Sequence, residues 1–342
     1  MRKSDYVIAV LFIFALIGAY SIYQPFILSM VVAMLLTMAT SNLHKSMTRK
    51  FHSKHISSAL LSFLLFIIMF VPIIYLTTVG VHYISKIDAD IIAKTTNKLL
   101  ILVEEIPILD EWMIEYLDSD SILENIKTST ETVTQAGSQG IGFIKNVFFV
   151  IIFYYVLNRY AEGLFNVIRS LLPMKEDEGE QILMEISSTM EIVFYSIIVT
   201  AIFEGILFGI MTSFVGFNGL LFGIIYGFAS LIPIVGGAIV WMPVSLFAWS
   251  TINSNTAIFI SLYSIIIISI IADTFIKPMI IKYIKDDVLH SSVVINEILI
   301  FFSILSGMST YGFWGMILGP AITSFLIAIS KTYIELYGKD TL

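Results

Sequence analysis

The chain has 342 residues, of which 57% are hydrophobic and 13% charged, with a formal net charge of −7 and no cysteine. An ordinary soluble domain is about a quarter charged, so a water-soluble globule of this composition is excluded, and the absence of cysteine excludes disulfide frameworks, thiolate metal sites and cysteine nucleophiles. A bilayer takes up such an excess of apolar surface at about 20 residues per helical crossing, which predicts roughly eight to ten embedded helical segments; transmembrane β-barrels read instead as alternating segments of about 10 residues.

In chain order, residues 6–43 are apolar for long enough to cross twice, and Ser21-Ile22-Tyr23-Gln24-Pro25 is the expected turn, giving helices near 6–22 and 26–43. The loop after them holds Lys45, Arg49, Lys50 and Lys54 and no acid. The positive-inside bias places it in the cytoplasm, and two crossings would put the N-terminus, with Arg2 and Lys3, on the same side. The N-terminal run is expected to be a retained helix rather than a cleaved signal peptide. A third helix, 56–80, completes a first unit of three membrane helices over 1–80.

Residues 81–140 carry eleven acidic and four basic side chains. With periodic Ile92, Leu99, Leu100, Val103 and Ile106, they are expected to form an acidic helical extracytoplasmic domain, either a solvated spacer or a partner-binding surface. A fourth helix at 143–158 meets Arg159, Arg169 and Lys175, and a cytoplasmic interfacial linker follows, so that 141–190 forms one unit. Residues 191–336 are the expected transport core, and 337–342 a cytoplasmic tail.

The core opens with a long helix, 191–215. Residues 220–249 are apolar but broken around 232–237, and arms of about 14 and 12 residues reach only about 20 Å, short of the roughly 30 Å hydrocarbon core. A full helix, 255–276, follows, then a basic loop with Lys277, Lys282 and Lys285. Residues 293–329 repeat the broken pattern around 306–312. Long helix plus interrupted hairpin thus occurs twice in opposite orientation, which predicts an all-α polytopic membrane protein with two re-entrant hairpins in an inverted repeat. Paired Gly/Pro-interrupted segments of this kind point to a transporter's substrate site. Two ordinary pairs of tilted crossing helices with glycine packing faces are the alternative.

Three stretches carry a resemblance: Leu231-Ile232-Pro233-Ile234-Val235-Gly236-Gly237, Asp273-Thr274-Phe275-Ile276-Lys277-Pro278-Met279-Ile280, and Tyr311-Gly312-Phe313-Trp314-Gly315-Met316-Ile317-Leu318-Gly319-Pro320. They resemble the signature segments of the autoinducer-2 exporter family of bacterial permeases. The resemblance implies a bacterial inner-membrane protein, a homo-oligomer, linked to export of that signal or to sodium/proton exchange. The chain departs from the family at Phe194-Tyr195-Ser196, where many relatives carry glutamine, and at Asn296-Glu297, where many carry His-Pro.

An ionisable group at membrane depth costs about 2.5–3.5 kcal/mol on insertion scales and usually faces a cavity, partner or pathway. Glu204, Asp273, Lys277 and Glu297 are therefore candidates for a solute or ion pathway, with Asn296 beside them. Each has a plainer reading: Glu204 as a carboxyl bonded to a neighbouring helix, Asp273 and Lys277 as an i,i+4 pair, Glu297 as a snorkelling side chain. Pro233, Gly236, Gly237, Pro278, Gly307, Gly312, Gly315, Gly319 and Pro320 are candidate backbone devices at the hairpin tips.

No HExxH, GxSxG or Walker sequence is present, so neither an enzyme nor ATP-driven transport is expected, and a secondary transporter or a passive pore remains, of which the secondary transporter is the leading expectation. No cofactor, metal or nucleic-acid partner is expected; the expected partners are the lipid bilayer and a small polar solute, a monovalent cation or a proton. A sodium (lithium)/proton antiporter and a non-transporting scaffold that uses the acidic domain are the alternatives.

Overall fold

The computed structural model describes residues 3–84, 142–160, 163, 176–232, 236–288 and 296–337. The described residues contain helices and no strand. Six helices are long and apolar enough to cross a membrane, so the chain is a multi-pass membrane protein. The acidic segment beyond residue 84, most of the linker after 160, Pro233 and the tail from 338 lie outside the described residues.

Helix α1 (Lys3–Ala39) runs unbroken through Pro25, which corrects the expected turn at 21–25. Proline removes one i→i−4 hydrogen bond, and membrane helices tolerate that loss where the freed carbonyl finds another partner or a local adjustment. At 1.5 Å per residue α1 is about 55 Å long, and it replaces two crossings by one. Lys3 and the basic α2 therefore lie at opposite ends of one helix, not on the same side of a two-helix pair. Its first half is exposed, with Leu11 and Phe14 63% and 71% accessible, whereas Val32 and Leu36 near its end are buried. The basic loop is helix α2 (Ser41–Phe51), which ends on His52 in the left-handed region at φ 53°. His44 Nε2 lies 3.1 Å from Ser58 Oγ and ties α2 to α3 (Lys54–Ile84).

Helices α4 (Gly142–Tyr160) and α5 (Glu176–Phe214) follow. Along α5, two hydrophobic cores meet. Ile186 and Met190 join Val32 and Leu36 of α1, Val147 and Tyr154 of α4, and Leu318 near the C-terminal end. Farther on, Phe208 and Met211 join the second core.

Helices α6 (Gly219–Ala229) and α7 (Gly236–Thr251) form the first interrupted pair. At 11 and 16 residues they measure about 17 and 24 Å, shorter than the roughly 30 Å core. Helix α6 runs against α5 backbone to backbone at its glycines. A Cβ on Gly205 would lie 2.6 Å from Gly223 O, one on Gly209 2.7 Å from Gly219 O, and one on Gly227 2.8 Å from Ala201 O. The end of α6 is thus level with Ala201, near the middle of the α5 span Ile186–Phe214.

A single helical rod follows: α8 (Ser254–Tyr263), a π-helical stretch (Ser264–Ile276), α9 (Lys277–Tyr283) and a second π stretch (Ile284–Val288). Sequence periodicity reads 255–276 as plain helix; the structure widens 13 of these residues to i→i+5 bonding, a geometry concentrated at functional sites. The second interrupted pair is α10 (Glu297–Tyr311) and α11 (Gly315–Tyr337), joined by a 3₁₀ turn (Gly312–Trp314) that starts on Gly312 at φ 58°. Glycine populates that left-handed region without steric cost. Helix α11, at 23 residues, is about 35 Å long and can cross by itself, unlike α6, α7 and α10. Asn218, Asn253 and Asn296 begin α6, α8 and α10, each accepting the amide of the third residue on, the usual N-cap arrangement.

Candidate functional site

The second core, between α5, α6, α7 and the rod, is mostly apolar, with hydroxyls such as Ser245 and Thr212 buried in it and, among its described residues, charge at one place. Glu204 of α5 is 4% exposed and faces the π stretch. Lys277 Nζ lies 3.8 Å from Glu204 Oε1 and 3.1 Å from Asp273 Oδ1. Lys277 thus brings the Asp273 carboxyl up beside that of Glu204, with Ser230 at the end of α6 nearby. Two acids therefore share one base, and Lys277 bridges α5 to the rod. The expected i,i+4 pair is present; the buried acid joins it, so that the three ionisable candidates from two helices form one cluster.

The side chains of Asp273 and Lys277 remain 43% and 39% accessible while that of Glu204 is 5% accessible. The cluster is closed at Glu204 and open at Asp273 and Lys277. Its position follows from backbone geometry. Lys277 N donates to Ala272 O, closing the π stretch, and Pro278, in the first turn of α9, has no amide to satisfy, as suits a helix start. One turn beyond Glu204, Tyr263 Oη donates to Leu207 O at 3.3 Å and fixes the rod to α5.

The tip of the first pair packs beside this cluster. Ser230 ends α6 and donates to Gly227 O at 3.0 Å. Tyr226, one turn earlier, is 1% exposed, stacks on Phe208 with ring centroids 4.4 Å apart, and lies within electrostatic range of Glu204 and Asp273. Its hydroxyl occupies the space that a Cβ on Gly237 would need, and a Cβ on Gly236 would run into the Ala229 carbonyl. These two glycines thus let the start of α7 close onto the end of α6.

The remaining candidates lie elsewhere. Gly307, Gly315 and Gly319 interlock α10 with α11 backbone to backbone. Pro320 sits inside α11, where its carbonyl accepts from Ser324 Oγ at 2.7 Å. Asn296 Oδ1 accepts from Leu299 N at 3.2 Å and is occupied in capping α10. Glu297 is the first residue of that helix, and its side chain lies outside the described residues. Among the described residues, no hydrogen bond or ion pair joins this second tip to the acid cluster.

Three residues went unnoticed in the sequence. Tyr226 and Ser230 look there like ordinary members of an apolar helix, and only the α5–α6 crossing brings them to Glu204. Glu191, 2% exposed, is the third. Its Oε1 accepts from Ser41 Oγ at 3.1 Å and from Asn42 N at 3.0 Å, and its Oε2 from Asn42 Nδ2 at 2.7 Å. The signal was an acid at the start of a long apolar run, facing a Ser-Asn step between two helices.

The family model described as "AI-2E family transporter" matches residues 7–335. A protein of Helicobacter pylori strain J99, described as "Putative transport protein", is 30% identical over 335 residues, covering 97% of this chain and 96% of that one. A protein of Helicobacter pylori strain 26695 with the same description shows the same identity and coverage. A third of that description, from Aquifex aeolicus strain VF5, is 23% identical over 304 residues, 83% of this chain and 84% of that one.

Proposed function

This chain belongs to the AI-2E transporter family, and we propose that it is a secondary permease that moves a small polar solute, such as autoinducer-2, outward by alternating access. The observation that carries this reading is the cluster of Glu204, Asp273 and Lys277 beside the tip of the α6–α7 pair. Ionisable groups at membrane depth mark solute and ion routes, and interrupted hairpins line them. The tip's height, level with Ala201 near the middle of α5, favours a re-entrant α6–α7 hairpin in the bacterial inner membrane. The basic α2, with Arg49 and Lys50 in its last turn, then faces the cytoplasm, and the protein assembles as a homo-oligomer.

The test is flux of labelled autoinducer-2 from proteoliposomes. Wild type is expected to release the solute, and Glu204→Ala with Asp273→Ala to lose most of that flux while still inserting and remaining monodisperse. Equal flux in both would remove the cluster from the route.

A second reading is favoured by the excess of acids in the cluster, where two carboxyls face one ammonium. That spare acid suits exchange of a proton for sodium or lithium. Everted vesicles with a pH-sensitive dye separate the readings: cation-dependent dequenching supports the antiporter, and a flat trace with intact solute flux supports the permease.

A further inference from the structure

We propose that the groove between α3, α5, α6 and the start of α11 is a binding site for an acyl chain of a bilayer phospholipid. The groove is a cavity of about 600 Å³, inside the 300–1,000 Å³ range typical of ligand pockets. Its floor is the glycine crossing of α5 and α6, and its walls include Ile68 and Pro72 of α3, Phe194 and Ile198 of α5, Phe228 of α6 and Ile317 of α11. Along α5 the lining runs from Met190 to Ser213, a rise of about 35 Å, longer than the roughly 15 Å depth of one leaflet's hydrocarbon.

The chemistry of the lining selects the occupant. Ser213 is the one polar side chain among the lining residues, and its hydroxyl already donates to Gly209 O at 2.9 Å. A polar solute seated here would lose its water without gaining a partner, at a cost of several kcal/mol per group. A hydrocarbon chain loses nothing. The groove also opens toward lipid: Ile202, Ile206, Ile210 and Leu220 line it and are half exposed or more, and the first three lie in the membrane span of α5. The bilayer's own tails are what that opening meets. Because Glu204 faces the second core and its neighbour Gly205 faces the groove, α5 separates the hydrocarbon site from the acid cluster.

The test uses full-length protein in phosphatidylcholine vesicles doped with phosphatidylcholine that carries a photoactivatable diazirine in one acyl chain. Irradiation and peptide mapping are expected to place label on groove residues of α3 and α5 well above that on outward faces of comparable exposure, such as Phe12 and Ile258, 58% and 55% accessible. Ile198→Trp, which fills the groove, is expected to lower groove labelling about tenfold, equivalent to about 1.4 kcal/mol of lost affinity, while Ile258→Trp changes nothing. Labelling in simple proportion to exposure would overturn the proposal from wild-type protein alone. Groove residues that carry no lipid label while outward faces are labelled would overturn it as well, since the groove is then covered by protein. Labelling abolished by a free apolar solute at a concentration that leaves the vesicles intact would assign the site to that solute and not to lipid.

Discussion

Glu191 and Asn42 stand 149 positions apart and are joined twice, by the Asn42 backbone amide at 3.0 Å and by its side-chain amide at 2.7 Å. The pair sits where α1 gives way to α2, so the entry angle of the basic helix is set by an acid on α5. Ser187 adds a hydroxyl donated to Met38 O at 3.1 Å, and Thr40 Oγ1 lies 2.7 Å from Tyr154 Oη. Three helices are fastened around one short non-helical step.

Removing the acid at this joint breaks three hydrogen bonds from Ser41 and Asn42, which are half-buried and exposed respectively. Glu191→Ala is expected to lower stability by about 1–3 kcal/mol, the scale of hydrogen bonds to a charged group, because water can reach the freed donors. Glu191→Gln keeps an acceptor for the Ser41–Asn42 step but turns an amide toward a donor, and should fall between. Thermal unfolding in detergent, followed by loss of the monodisperse chromatographic peak, reads the order.

Within the acid cluster, Lys277 is the shared member. Lys277→Met leaves both Glu204 and Asp273 without a cation, whereas Asp273→Asn leaves the Glu204–Lys277 contact. The lysine change is expected to cost more, about 1–3 kcal/mol, between the values for exposed and buried pairs because Lys277 is partly accessible. Adding Glu204→Gln to Lys277→Met should recover part of the loss, which thermal unfolding of the three variants checks.

The glycine crossing gives a contrast of sign. Gly223→Ala places a Cβ 2.7 Å from Gly205 O, and such overpacking costs about 1–3 kcal/mol. Gly18→Ala, in a part of α1 with nothing within 4 Å of the added carbon, gains up to about 1 kcal/mol of helix propensity. Apparent melting temperatures should therefore move in opposite directions.

At the first tip, Gly237→Ala drives a methyl into the Tyr226 hydroxyl. Tyr226→Phe removes that oxygen, so the double variant is expected to be less impaired than the sum of the singles, with a coupling of about 0.5–3 kcal/mol. A double-mutant cycle on solute flux and on thermal stability measures it. Strict additivity in both would separate the tip from the tyrosine.

The sequence carries the membrane class, the interrupted first pair and the Asp273–Lys277 pair, because hydropathy, short arm length and i,i+4 spacing are local properties. It misleads at Pro25, where a residue that usually ends helices in water is carried through a membrane helix. The partnership of Glu204 with the rod is invisible in sequence, since it depends on how α5 crosses α8 and α9 and on 13 residues of π geometry that alter which side chains share a face. Tyr226 and Glu191 fail to stand out for the same reason: each matters through a neighbour more than 20 positions away.

The backbone contact of α5 with α6 has a mechanical corollary. Two helices meshed glycine to carbonyl at successive steps resist rolling over one another. Glu204, Tyr226 and Ser230 are consequently held as one unit, to which Lys277 is joined from the rod by its ion pair with the buried acid.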